Sequence, residues 1–252
     1  MIYLVEHFYS IQGEGKYIGS PSLFLRFGGC NMKCEGFECL ETVAENVVIK
    51  GCDTIYAVNR EHFSHTWQSI TQVKELLEIV ESYDFPRAVD IVLTGGEPLL
   101  YAHDAIFVAF LEEVHKRGHQ IHFETNGSLD IDFKKFPVYK KAIFALSIKL
   151  ENSGESKEKR INTCVIQNIT SNAKESYFKF SVDANKLDVN ITQEIENIVA
   201  ISPTTQVICM PLGSSKKEIE DGSEALVEFC KLKGYNFGDR LHIRIWNTEK
   251  GI

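Results

Sequence analysis

Apolar runs that stop abruptly at a short polar motif recur along this chain, and they constrain its fold more than any other feature. SLFLRFG (Ser22 to Gly28) alternates Leu23, Leu25 and Phe27 against Phe24 and Arg26, the pattern of a strand. DIVLTGG is a continuous apolar run ending in glycines, as a strand buried on both faces of a parallel sheet would read. QIHFETNG, KAIFALSIK, YFKFSVD, TQVICMPLG and LHIRIW read as further strands. Between them lie helical spacings: SITQVKELLEIVES (Ser69 to Ser82), DAIFVAFLEEVHKRG with Gly118 as its stop, and segments near Thr192 to Ile201 and Lys216 to Lys233. LENSGESKEKR reads as an exposed polar loop. Repeated strand–helix units predict an α/β fold with right-handed crossovers. Roughly six units are too few for the eight-unit barrel, so a partial (β/α)6-type barrel or an open parallel sheet fits. In either fold, chemistry collects at the C-terminal ends of the strands. TGGEP, ETNG, SIK, MPLG and the loop after SLFLRFG should therefore converge on one mouth.

The 252 residues suit one large domain spanning 1–252, and no internal repeat interrupts it. The formal net charge is −8, which gives no basic footprint for nucleic acid. An acid at Glu6 and the lack of an apolar core near the N-terminus predict no signal peptide. No apolar run approaches the ~20 residues of a membrane span. Seven cysteines, odd in number and mostly clustered, argue against a disulfide framework and for metal or catalysis in a reducing cytosol.

The cluster is GGCNMKCEGFECL, followed by KGCDT. Cys30 and Cys34 are separated by three residues, Cys34 and Cys39 by four, and Cys34 and Cys52 by seventeen. Thiolates take zinc, copper(I) and iron–sulfur clusters. Structural zinc sites usually show two tight Cys pairs, and here no second tight pair exists. Three thiolates can instead hold three irons of a [4Fe–4S] cluster and leave the fourth open to a small ligand. On ligand chemistry alone, both zinc and a cluster remain possible.

Six motifs in order, SIQGEG (Ser10 to Gly15), FLRFGGCNMKC, CDT (Cys52 to Thr54), TGGEP, ETNG and MPLG, resemble the radical S-adenosylmethionine superfamily, and most closely the 7-carboxy-7-deazaguanine synthase family. The resemblance runs from residue 6 to about residue 213. It departs from the usual C-x3-C-x2-C spacing. In the family the last ligand precedes Asp-Thr, which implies Cys30, Cys34 and Cys52 as cluster ligands. Residues 35–51 are then an insertion in the cluster loop, and Cys39 is a bystander. The resemblance implies a partial TIM barrel of the radical kind. It also implies conversion of 6-carboxy-5,6,7,8-tetrahydropterin to 7-carboxy-7-deazaguanine with loss of ammonia, through a 5′-deoxyadenosyl radical. The cofactors would be a 4Fe-4S cluster, S-adenosyl-L-methionine and Mg2+. A flavodoxin- or ferredoxin-type electron donor, a homodimer and a cytoplasmic setting are implied as well.

Site residues follow from the same resemblance. Gly95, Gly96 and Glu97 would receive the amino group of the methionine part, with Glu124, Ser147, Lys149 and Met210 also on the cofactor. Ile11, Gln12, Gly13 and Glu14 would bind the pterin, with Thr94 touching it. Chemically, Glu14 can accept from two N–H donors on the pterin edge, Gln12 can donate to its carbonyl, and Arg26 can hold the substrate carboxylate through a fork of donors. Thr54 would offer its hydroxyl to magnesium. Each motif alone has a blander explanation: Gly-Gly is a common turn, GEGKYIG reads as a glycine-rich turn (its spacing is not that of a dinucleotide fingerprint), and Arg26 alone fits a surface strand. His242, expected on the last strand, reads equally as a half-buried strand histidine. Two other functions compete. One is a glycyl-radical-enzyme activase, whose partner is a protein. The other is a non-catalytic module stabilised by zinc. SIQGEG upstream and Asp-Thr after the last cysteine favour the small-molecule enzyme.

Overall fold

A computed structural model of the chain describes residues 1–44, 46–184, 187–249 and 251. In chain order the elements begin with β1 (Ile2–Ile11), β2 (Pro21–Phe27), β3 (Cys39–Ala44), β4 (Val47–Gly51), α1 (Ile55–Val58), α2 (Arg60–Phe63), β5 (Gln68–Ile70) and α3 (Val73–Glu81). The repeating part follows: β6 (Asp90–Gly95), α4 (Ala105–Lys116), β7 (Gln120–Thr125), β8 (Ile143–Leu146), α5 (Lys157–Arg160), α6 (Thr163–Asn172), β9 (Glu175–Val182), α7 (Val189–Val199), β10 (Gln206–Pro211) and α8 (Lys216–Lys233). β11 (Asn236–Phe237) and α9 (Leu241–Trp246) end the chain's regular structure.

The main sheet has nine strands in the order β11-β10-β9-β8-β7-β6-β2-β1-β5. From β2 to β11 every neighbouring pair is parallel. β1 and β5 add an antiparallel margin beyond β2. The α/β expectation holds, and among the described residues the strand order runs from edge to edge. β3 and β4 form a separate two-stranded sheet. That hairpin occupies most of the insertion expected over 35–51, of which Glu45 lies outside the described residues.

Alternation along the parallel strands sorts side chains onto two faces. Leu23, Leu25, Ile91, Leu93, Phe123 and Phe144 pack with the helices in the main core. The opposite phase turns away from the helices. At one level it is a small apolar plug of Ile143, Ala145, Tyr177, Ile208 and Met210, with Tyr17 packed on it. Elsewhere it carries Arg26, Thr94, Glu124 and Lys179, and these border a cavity. Polar residues at the inward phase of buried strands are what make one end of this sheet a site.

Three expectations are corrected. LHIRIW is helix α9, not a strand, and so His242 is a helix residue. Six alternating residues satisfy either period; Ile243 is the buried one, and the turn is pinned where Leu241 N donates to Gly13 O at 2.8 Å. The helix expected over 69–82 begins only at Val73, because Gln68–Ile70 pairs with β1 and Gln72 forms a capping box with Glu75. LENSGESKEKR is not a free loop: it contains α5, whose Arg160 is buried, paired with Glu194 and donating to the Lys149 carbonyl at 3.1 Å. β1 is a strand the patterning does not announce, since Glu6 and His7 interrupt its apolar run.

Candidate active site

The strand ends open on a cavity of about 850 Å³. Every residue that the sequence singles out for the site borders it, apart from Glu97 and Met210. Met210 is buried in the apolar plug because its position on β10 falls at that level of the inward phase.

The cluster loop leaves β2 through Gly28 and Gly29. Gly29 has φ +96°, a backbone that side-chain-bearing residues rarely adopt. Cys34 adopts the left-handed conformation too, at φ 51°. It is held there from outside the loop: the Glu155 carboxylate accepts from the Cys34 N–H at 3.1 Å and from the Lys33 N–H. Met32 N donates to Cys30 Sγ at 3.3 Å. Burial pushes the Cys30 thiol up to about 12, helped by the nearby Glu97 carboxylate and the Cys34 and Cys52 sulfurs. Burial likewise raises Cys34, to about 11, although Lys149 opposes it. Both are therefore protonated thiols at neutral pH, and loading them with iron must release protons.

Among the described residues, no three His, Cys, Asp or Glu side chains are gathered as the ligands of one ion would be. A cube-shaped cluster does not ask for that, since each thiolate holds its own iron. Cys30, Cys34 and Cys52 border one cavity and lie close enough to perturb one another electrostatically, which fits such a cluster. Cys39 also borders the cavity, but it sits on β3 opposite Gly51, with its Sγ directed to the Phe37 carbonyl at 3.8 Å. Thr54 Oγ1 lies 3.5 Å from Cys52 Sγ.

The TGGEP turn packs against the cluster loop. Gly96 N donates to Phe27 O at 3.1 Å and Glu97 N to Gly29 O at 2.8 Å. Glu97 is fully buried. Its carboxylate accepts from Thr125 Oγ1 at 2.7 Å, Asn126 N at 2.7 Å and Leu99 N at 3.0 Å. Burial raises its pKa against those donors. Glu97 thus ties the first motif turn to the second and does not face the cavity. Asn126 Nδ2 in turn donates to Asn31 Oδ1 at 2.9 Å, and Asn31 Nδ2 to Ser128 Oγ at 2.8 Å, which fastens the cluster loop to the ETNG turn. Ser147 N donates to Thr125 O at 2.7 Å, and Lys149 Nζ to Ser147 Oγ at 3.2 Å, so the third motif joins the same corner.

The opposite wall carries charge. Glu14 accepts from Lys179 Nζ at 2.9 Å and from Arg240 Nε at 2.8 Å, with His242 Nε2 at 3.9 Å. Burial alone would raise Glu14, but Lys179, Arg240 and His242 hold it well below the usual carboxylate range. Glu124 accepts from Lys179 at 3.2 Å, Gln12 Nε2 at 3.4 Å and Thr94 Oγ1 at 3.2 Å. Gln12 also accepts from Glu14 N at 3.0 Å, so its amide is fixed at both ends. A Cβ on Gly13 would come within 2.1 Å of His242 Nδ1, which explains the glycine there. Arg26 Nε donates to Glu6 at 2.6 Å, and its guanidinium lies 5.9 Å from the Tyr56 ring centroid.

Lys179, Arg240, Asn31 and Glu155 escape the motif reading. Lys179 had a signal: in YFKFSVD it shares the phase of Tyr177 and Ser181, opposite Phe178 and Phe180. Arg240 had none, because it reaches Glu14 across 226 positions.

Comparison with known proteins agrees with this layout. A family model described as "4Fe-4S single cluster domain" matches residues 11–170. A protein of Halobacterium salinarum named 7-carboxy-7-deazaguanine synthase is 28% identical, covering 96% of this chain and 89% of its own. One of the same name from Clostridium acetobutylicum is 29% identical, covering 98% of this chain and 97% of its own. The crystal structure of QueE from Escherichia coli superposes with a TM-score of 0.68 at 20% identity, covering 96% and 94% of the two chains.

Proposed function

Since the chain belongs to the 4Fe-4S single cluster domain family, we propose that it is a radical S-adenosylmethionine enzyme that converts 6-carboxy-5,6,7,8-tetrahydropterin to 7-carboxy-7-deazaguanine. The observation that carries this reading is the near-full-length similarity to proteins of that name in a chain whose thiols and charged wall border one cavity. Overall the conversion loses only ammonia and is redox-neutral. A cofactor that starts the radical chain can therefore be recovered at its end. The bound cluster and S-adenosylmethionine would supply the radical. Cys30, Cys34 and Cys52 would hold the cluster, and Gly95, Gly96, Glu124, Ser147 and Lys149 would border the S-adenosylmethionine.

The protein's own task is to bind, orient and exclude water. Glu14, held ionised by Lys179 and Arg240, accepts from the N–H donors of the pterin edge. Arg26 has one nitrogen engaged by Glu6 and offers the rest of its fork to the substrate carboxylate. Glu97 takes no part in contact; it keeps the two motif turns in register. A flavodoxin- or ferredoxin-type protein would deliver the electron, and the enzyme would work as a homodimer in the cytoplasm. Among the described residues no helix is long and apolar enough to cross a membrane.

The deciding experiment is anaerobic reconstitution, then incubation with S-adenosylmethionine, a reductant and the carboxypterin. The deazapurine should appear by mass spectrometry. A reconstituted protein that cleaves S-adenosylmethionine but forms no deazapurine would falsify the substrate assignment. Arg26→Ala should raise the KM for carboxypterin with S-adenosylmethionine binding unchanged, by about 2–4 kcal/mol for a charge-assisted fork in a dry site. An unaltered substrate titration removes Arg26 from the site.

Thr54→Val deletes one oxygen and keeps the shape. Magnesium prefers oxygen ligands and keeps several waters, so a lone hydroxyl binds it only with help from the substrate carboxylate. The variant should lose the magnesium stimulation of turnover and retain its cluster absorbance. If wild type and variant respond alike across a magnesium titration, Thr54 is structural.

A further inference from the structure

The charged wall contains a lysine that neither the cluster nor S-adenosylmethionine requires. Lys179 stands on β9 between Tyr177 and Ser181, on the side turned away from the helices, and is only 5% exposed. An ammonium is not buried without partners. Its partners are two carboxylates from different elements: Glu14 from the segment after β1 and Glu124 from β7. Arg240 takes the other oxygen of Glu14, so cation and anion alternate along the wall in the order Arg240, Glu14, Lys179, Glu124.

We propose that Lys179 is a specificity-determining residue: by standing between Glu14 and Glu124 it keeps both as hydrogen-bond acceptors, so that the wall selects a ligand edge presenting adjacent N–H donors over one presenting a carbonyl. This rests on the pterin reading above and names what enforces it. The chemistry is direct. A carboxylate is acceptor-only when ionised and becomes a donor when protonated. A second ionised carboxylate close by disfavours ionisation of the first, and a cation between the two offsets that repulsion. Without Lys179, the like charges lose the cation they share, which favours a proton on that wall and so an O–H where the aminopyrimidinone edge offers N–H. Arg240 hydrogen-bonds Glu14 and meets Glu124 only through space, so it does not stand between the two carboxylates as Lys179 does.

The test uses the reconstituted holoenzyme and two fluorescent probes, pterin-6-carboxylate and lumazine-6-carboxylate, which carries a carbonyl in place of the amino group. Wild type should bind the pterin more tightly. Lys179→Met should lose roughly 10- to 100-fold in pterin affinity, with little change for the lumazine. Its KM for the carboxypterin should rise more than its kcat falls, and Lys179→Arg should restore part of the preference. Iron content should not move. Should Lys179→Met fail to fold, Glu124→Gln and the double variant Lys179→Met/Glu124→Gln decide. With Glu124 already an amide, removing Lys179 should cost little further preference. A pterin preference that survives in Lys179→Met, or a roughly tenfold further loss in the double variant, overturns the inference and leaves the substrate reading intact. A wild-type protein with no preference overturns both.

Discussion

Cys52→Ala should give a folded protein that holds no cluster and makes no product, whereas Cys39→Ala should remain brown and active. The four thiols of the segment are not equivalent. Cys30 and Cys34 each sense the Cys52 sulfur among their electrostatic neighbours. Cys39 sits on the β3–β4 hairpin, where it pairs with Gly51 and its Sγ is directed to the Phe37 carbonyl. The hairpin spans the seventeen-residue gap between Cys34 and Cys52 and returns the chain to the cavity, so a long sequence separation becomes a short spatial one. A cluster bound by two thiolates is not retained, so the expected effect is near-total. Cys30→Ala and Cys34→Ala should match Cys52→Ala. The measurement is iron and sulfide per chain after anaerobic reconstitution, with turnover in parallel. A colourless Cys39→Ala beside a brown Cys52→Ala would reverse the assignment and make the hairpin part of the ligand loop.

How much of this was legible in the sequence depends on how local the cause was. The alternation in SLFLRFG puts Leu23, Leu25 and Phe27 on one face and Arg26 on the other, and the folded strand does the same. The structure gives a reason for the glycines that end DIVLTGG: a Cβ on Gly95 would meet the Phe27 backbone at the end of β2, and one on Gly96 the Gly29 carbonyl of the cluster loop. LHIRIW misleads because six residues are too few to separate a period of 2 from one of 3.6, and the contact that settles it comes from Gly13. Met210 opens a motif at the end of a strand as the others do, but the level at which its side chain meets the apolar plug depends on Ile143, Ala145, Tyr177 and Tyr17, four residues from three other elements. Arg240 is the extreme case. Its partner lies at the other end of the chain, and no periodicity of the intervening residues encodes that meeting.

Gly96→Ala should destroy the cluster site without altering a cysteine. A Cβ at Gly96 would lie 2.2 Å from the Gly29 carbonyl oxygen and 3.0 Å from Cys30 Cβ. Neither obstacle is the end of a flexible side chain. One is backbone of the cluster loop, and the other belongs to Cys30, a proposed iron ligand. The loop cannot retreat cheaply, because Glu97 N already bonds the same Gly29 carbonyl and Asn31 is tied to Asn126 and Ser128. Relief therefore requires breaking these bonds or moving Cys30 away from Cys34 and Cys52. Overpacking a close-packed site typically costs about 1–3 kcal/mol, and each buried hydrogen bond left unmade adds about 1–3 more. Gly19→Ala is the right control. Its φ of +87° makes alanine strained, but nothing lies within 4 Å of the new Cβ, so it should cost only about 1 kcal/mol of conformational energy. Thermal unfolding should thus place Gly96→Ala well below Gly19→Ala, and iron content after reconstitution should fall in Gly96→Ala alone. Equal melting temperatures with full iron in both would mean that the turn yields to the methyl group. The tight packing of TGGEP on the cluster loop would then be incidental to holding the cluster.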